Sequence, residues 1–100
     1  MTSTERPAGL DAGQELAFHI DHLKTVLLPF WLEHAPDEEY GAFYTCFSND
    51  GAKLLSRDKF TWSQGRFVWV WSKLAGMSIF NAFERRRFAE LARSGAEFLM

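Results

Sequence analysis

Cysteine is almost missing from this chain. Cys46 stands alone in 100 residues, which excludes an internal disulfide and any multi-thiol metal site. A strong excess of either charge is missing too. The formal net charge is −2 and the pI is near 5.9, so no basic field draws the chain to nucleic acid or anionic lipid. No apolar run approaches the ~20 residues that a membrane-spanning helix needs. The opening Met1-Thr2-Ser3-Thr4-Glu5-Arg6-Pro7-Ala8-Gly9 has no apolar core of a secretory signal. These absences lead to the expectation of a cytoplasmic chain with neither a nucleic-acid nor a membrane partner. At 47% apolar and 24% charged residues, disorder is excluded as the main state.

What the chain has in abundance is aromatic rings: ten Phe, four Trp and two Tyr. Burying most of them takes more interior than one small domain usually has. Either many rings line a surface, or the chain is part of something larger.

Along the chain, residues 1–13 are polar and contain Gly and Pro, which predicts a loose N-terminal tail. Residues 14–100 read as the folded part. Leu16, Ile20, Leu23, Leu27 and Phe30/Trp31 step by three and four, which places them on one helical face. Pro29 predicts a kink or a helix end. His34-Ala35-Pro36-Asp37-Glu38-Glu39 reads as a loop whose carboxylates are solvated. The period then shortens to two over Ala42–Phe47. An Asp50-Gly51 turn follows, and a return over Ala52–Ser56 completes a β-hairpin.

Thr61 and Gln64 have the spacing of a capping box. The helix that they open carries Phe67, Val68, Trp69, Val70, Trp71, Leu74 and Ala75, apolar nearly all the way round and therefore expected to be buried on most sides. Gly76 is its expected stop. Asn81 and Glu84 predict the next cap, leading into a helix with Phe88, Leu91, Ala92, Phe98 and Leu99 inward. Arg85-Arg86-Arg87 lies on its wet side. The sum is mainly α: about three helices, with one hairpin between the first two. The last helix runs to Met100 without a stop signal, so the chain reads as truncated.

The segment that could carry chemistry is Asp58–Trp69. On a helix opening near Trp62, Arg66 and Trp69 share its face. A guanidinium between indoles suits a sugar, with the rings stacking on its C–H side and the fork holding its oxygens. The same spacing also describes a buried cation–π motif with an internal carboxylate, and aromatic stripes are more often core. An Arg near a helix start opposes the dipole by ~0.3–1 kcal/mol, which leans towards function without deciding.

Leu28-Pro29-Phe30-Trp31, Tyr40-Gly41-Ala42-Phe43-Tyr44, the Asp50-Gly51 turn, and above all Lys59-Phe60-Thr61-Trp62-Ser63-Gln64-Gly65-Arg66 with Trp69 resemble the N-acylglucosamine 2-epimerase family over roughly residues 16–99. Where many members have Gly-Gly-Phe, this chain has Gly41-Ala42-Phe43. The resemblance implies an (α/α)6 barrel whose inner helices line a sugar pocket, with residues 14–100 as its N-terminal, truncated portion. It implies a carbohydrate epimerase or isomerase that moves the proton at C2 of an open-chain sugar. The substrate would be N-acylglucosamine, mannose or a glucose-terminated disaccharide. A His pair acts through an enediolate-like intermediate in the family, and that pair would lie beyond residue 100. Arg66 matches the arginine that contacts the sugar oxygens and stabilises developing negative charge, and Trp62 matches a pocket aromatic. Together with Trp69 they form the expected substrate site. No cofactor or metal is required, and the full-length protein is a possible homodimer.

The three His present are not expected to replace that pair. His19 and His22 have metal-compatible spacing but no third ligand nearby. His34 falls in a loop. Cys46 reads as a small apolar filler. The alternative from another class is a small non-catalytic protein that binds a carbohydrate or a partner through its aromatic face.

Overall fold

The structure, a computed structural model, describes residues 9–100. Helix α1 spans Ala12–His22, a π-helical turn Leu23–Leu27 continues it, and α2 follows at Leu28–His34. A short antiparallel hairpin pairs β1, Cys46–Phe47, with β2, Leu54–Ser56. Helices α3, Thr61–Ala75, and α4, Ala82–Leu99, complete the chain. The class is mainly helical, as expected. Among the described residues, no helix is long and apolar enough to cross a membrane.

The first helix begins earlier than its apolar stripe suggests. Asp11 accepts from the Gln14 N–H at 2.8 Å while the Gln14 side chain accepts from the Asp11 N–H at 3.1 Å. This capping box draws residues 12 and 13, read from composition as tail, into α1. Residues 1–8 of that tail lie outside the described residues.

Pro29 neither ends nor breaks the rod. The Leu28 N–H reaches back five residues to the Leu23 carbonyl, and Pro29 falls in the first turn of α2. A widened turn just before a residue without an N–H lets the helix continue with its donors shifted by one place.

The strands are shorter than the two-residue period suggested, and their register slips between Cys46 and Phe47. Gly51, at φ +76°, makes the turn, and a Cβ there would lie 2.7 Å from Phe30 Cε2. The glycine therefore serves both the turn and its docking on α2.

Half of the sixteen rings are joined in one continuous stack. Trp31 meets Phe47 and Phe67 edge-on at 5.6 and 5.7 Å, Phe67 lies on Phe43 at 4.9 Å, and Trp71 lies on Phe88 at 5.8 Å. Phe43, Trp71 and Phe88 are fully buried. Offset and edge-on pairs of this kind add about 0.5–1.5 kcal/mol each beyond their buried area.

Helices α3 and α4 cross closely because α4 carries a glycine there. A Cβ on Gly95 would meet Val68 Cγ2 at 2.7 Å and Phe43 Cε2 at 2.9 Å. Phe43 is wedged in the ring stack and cannot yield. Overpacking of about 1–3 kcal/mol then exceeds the helix-propensity gain of about 1 kcal/mol. Gly95→Ala is expected to lower stability by about 1–2 kcal/mol in a denaturant titration.

One expectation about α3 is overturned. The helix buries Gln64, Trp71 and Leu74, but Trp62, Trp69 and Val70 are 68%, 62% and 36% exposed. Among the described residues, α4 and the loop before the hairpin pack tightly on it and Trp31 touches it at Phe67, which leaves its opposite side open. The caps of α4 are as expected: Asn81 accepts from the Glu84 N–H at 2.8 Å, and Glu84 accepts from the Asn81 N–H at 3.1 Å.

Candidate functional site

The free side of α3 carries the three residues that spacing singled out. Arg66 lies with its guanidinium 5.2 Å from the centre of the Trp62 ring. Trp62, Arg66, Trp69 and Val70 together line an open cavity of about 620 Å³. The stripe extends one turn further, where Lys73 Nζ sits 5.5 Å from the Trp69 ring. Beside it runs an apolar groove of about 410 Å³ between the first helical rod and α3, floored by Leu27, Trp31, Phe67 and Trp71. Trp62 and Arg66 stand at its edge, and the Trp71 Nε1–H is buried in the described structure without a hydrogen-bond partner.

Of the two arrangements that fit the spacing, the internal ion pair is not the one found. Among the described residues no carboxylate pairs with Arg66, which is exposed. Its ring partner among the described residues is Trp62.

Two anchors place this face, and both differ from the local reading of the sequence. The first is Gln64. The helix starts from Phe60 with no side-chain cap, because the Gln64 amide is turned into the core. Its Oε1 accepts from the Phe43 N–H at 2.9 Å and its Nε2 donates to the Phe43 carbonyl at 2.8 Å. A primary amide offers a donor and an acceptor side by side, so it satisfies both groups of one residue. The capping-box expectation fails because a fully buried partner outcompetes a bond at the wet helix end. Gln64→Leu strands both Phe43 groups at about 1–3 kcal/mol each. After the gain from apolar burial, a net loss of about 2–3 kcal/mol is expected by thermal unfolding.

The second anchor is Lys59, one turn before Trp62. Its ammonium pairs with Asp37 and donates to the Gly41 carbonyl at 2.8 Å, between the rings of Tyr44 and Phe98 at 5.0 and 5.4 Å. Asp37 is therefore not the solvated loop carboxylate that its Asp-Glu-Glu run suggested. Burial by itself raises a carboxyl pKa. At Asp37 the Lys59 ammonium, the N–H groups of Tyr40 and Glu39, and Tyr44 outweigh it and hold the group well below the usual carboxylate range. Burial and the neighbouring Asp37 push the Tyr44 phenol up. The loop between them turns through Gly41 and Ala42 at φ +81° and +62°. Ala42, the residue that departs from Gly-Gly-Phe, thus adopts a left-handed conformation that glycine takes more readily.

The histidines stand apart from this face. His19 is 3.9 Å from Glu15, His22 stacks on Phe18 at 5.9 Å, and His34 packs on Phe30 at 4.9 Å. Among the described residues no three His, Cys, Asp or Glu side chains converge to hold a metal. Cys46 is half-buried in β1. Sequence reading missed Lys73 and the paired anchors Gln64 and Lys59. Lys73 was legible as the next step of the stripe after Trp69. The anchors had no local signal.

The fold and the face together define a mainly helical protein with an exposed arginine–indole stripe beside an apolar groove. No family model matches the chain. N-acylglucosamine 2-epimerase of Mus musculus is 43% identical over 77 residues, covering 74% of this chain and 17% of that protein. The Rattus norvegicus and Homo sapiens proteins of that name are 40% and 39% identical over the same length. The matched stretch belongs to the N-acylglucosamine 2-epimerase family, sugar epimerases by name, and the chain spans 17% of the length of these relatives.

Proposed function

We propose that this chain supplies a sugar-contacting wall of a carbohydrate epimerase or isomerase, built as the N-terminal portion of an (α/α)6 barrel. The observation that carries the reading is the exposed Arg66 guanidinium. It lies on the Trp62 ring with no carboxylate partner among the described residues, within a chain related to sugar epimerases. On an open-chain sugar such as N-acylglucosamine, mannose or a glucose-terminated disaccharide, the indoles take the C–H side and Arg66 takes the oxygens. Loss of the C2 proton moves negative charge onto the adjacent oxygen. A preorganised donor is worth most there, because it need not reorient as charge develops.

A guanidinium offers donors and no acceptor, so Arg66 holds oxygens rather than carrying a proton to or from carbon. Proton transfer needs a base, and among the described residues no histidine lines the Arg66 cavity or the groove. The 100 residues alone are therefore expected to bind sugar weakly and not to turn it over. Incubation with N-acetylglucosamine in heavy water, followed by proton NMR, tests this. A retained C2–H signal with a sugar-dependent change in tryptophan emission is expected. Exchange of that proton by the purified chain would refute the division of labour.

A further inference from the structure

Helix α3 reads Thr-Trp-Ser-Gln-Gly-Arg-Phe-Val-Trp-Val-Trp-Ser-Lys-Leu-Ala, with two cations and no acidic residue. Trp62, Arg66, Trp69 and Lys73 recur at steps of four, three and four, so they form one exposed ladder in which cation and indole alternate. Each cation lies over the preceding indole: Arg66 at 5.2 Å from the Trp62 ring centre, and Lys73 at 5.5 Å from that of Trp69. Neither has a carboxylate partner among the described residues. The two indole–cation units are seven residues apart, a rise of about 10 Å. A flat ring with a positive charge at its edge is a subsite for a pyranose that bears an anionic group. Two of them at this separation suit two rings of one extended oligosaccharide, with one sugar unit between.

We propose that Trp69 and Lys73 form a second, anion-selective subsite, so that this face takes an acidic oligosaccharide with a carboxylate on alternate rings. This rests on reading the Trp62–Arg66 unit as sugar-contacting and extends it along α3. In such a complex a uronate ring stacks on Trp69 and its carboxylate pairs with Lys73, while the end of the chain lies at Trp62 and Arg66. Charge complementarity selects the ligand: the ladder offers only donors and positive charge, which a carboxylate answers more strongly than a neutral hydroxyl.

The experiment titrates the chain's tryptophan emission with two oligosaccharides of equal length. One is a tetrasaccharide alternating glucuronate with N-acetylglucosamine, and the other is neutral chitotetraose. At low salt the acidic ligand is expected to bind at least about tenfold more tightly, and the advantage is expected to vanish at high salt. Lys73→Gln, at an exposed position, lowers the preference several-fold, leaving only the share of Arg66, while chitotetraose binding stays as it was, and Trp69→Ala weakens both. Circular dichroism verifies that each variant is folded. Equal affinity for the two ligands would overturn the anionic subsite and leave the Trp62–Arg66 reading standing. A preference that Lys73→Gln leaves undiminished would also overturn it, placing the charge elsewhere, as on Arg85–Arg87 of α4. Binding of neither ligand would overturn it as well, and the C2 exchange experiment judges the parent reading separately.

Discussion

Replacing Lys59 by Met is expected to cost about 3–5 kcal/mol of stability, because it leaves a buried carboxylate without its cation. The Asp37 and Lys59 side chains are 4% and 9% exposed, so water cannot take over the lost partner. The methionine keeps the apolar stem between Tyr44 and Phe98, which confines the change to the ammonium group. Asp37→Asn in the same background should recover part of the loss, since the neutral amide no longer needs a counter-charge while its oxygen can still accept from the Glu39 and Tyr40 N–H groups, which now bond Asp37 Oδ1 at 3.0 Å each. Urea titrations of the single and double variants measure both.

The pH dependence has a definite sign. The folded Asp37 pKa lies below its unfolded value of about 4. Its contribution is therefore complete above that unfolded value and drains away as pH falls towards the folded one. The native chain should lose stability steeply below about pH 4. Lys59→Met should show a flatter slope there, because its Asp37 carboxyl is no longer held so low. At the alkaline end the raised Tyr44 pKa acts in the opposite direction: its contribution is intact below the unfolded value of about 10 and is lost above it. An equal acid slope in the native chain and the variant would show that Asp37 draws nothing from Lys59.

Arg66→Ala, made in a longer protein that carries this stretch and turns sugar over, is expected to lower kcat by about 10²–10³, in line with the loss of one preorganised donor at a developing oxyanion. The fold should be untouched. Arg66 is exposed and its described contact is the Trp62 ring, so stability should move by no more than about 0.5 kcal/mol. Arg66→Lys separates charge from geometry. It keeps the positive charge but loses the planar fork and much of the stacking on Trp62, so it should recover only part of the rate. A loss that appears in KM with kcat unchanged would mean that Arg66 binds the sugar equally in ground and transition states.

The features legible in the sequence have causes that lie within one turn of chain. Asn81 and Glu84 cap α4 because the reciprocal bonds span three residues. Asp50-Gly51 turns the hairpin because glycine accepts the left-handed conformation. Trp62, Arg66 and Trp69 share a face because the helical period puts them there once α3 forms. The family resemblance was legible for the same reason, since its motifs are short and lie in order along the chain.

What only the tertiary structure decided depends on partners far along the chain. Gln64 has the spacing of a cap, yet it bonds a residue 21 positions away, and Lys59 finds Asp37 at 22. Local pattern cannot rank a wet bond nearby against a buried one that exists only after the loop folds over α3. The open side of α3 was hidden for a related reason. An all-round apolar helix describes what its residues would tolerate, whereas exposure depends on which neighbours arrive, and among the described residues α4 and the loop at Phe43 do so most closely. The sequence by itself therefore determined the elements and the stripe of indoles and cations. The buried amide and ion pair, made by folding, decided where that stripe is held.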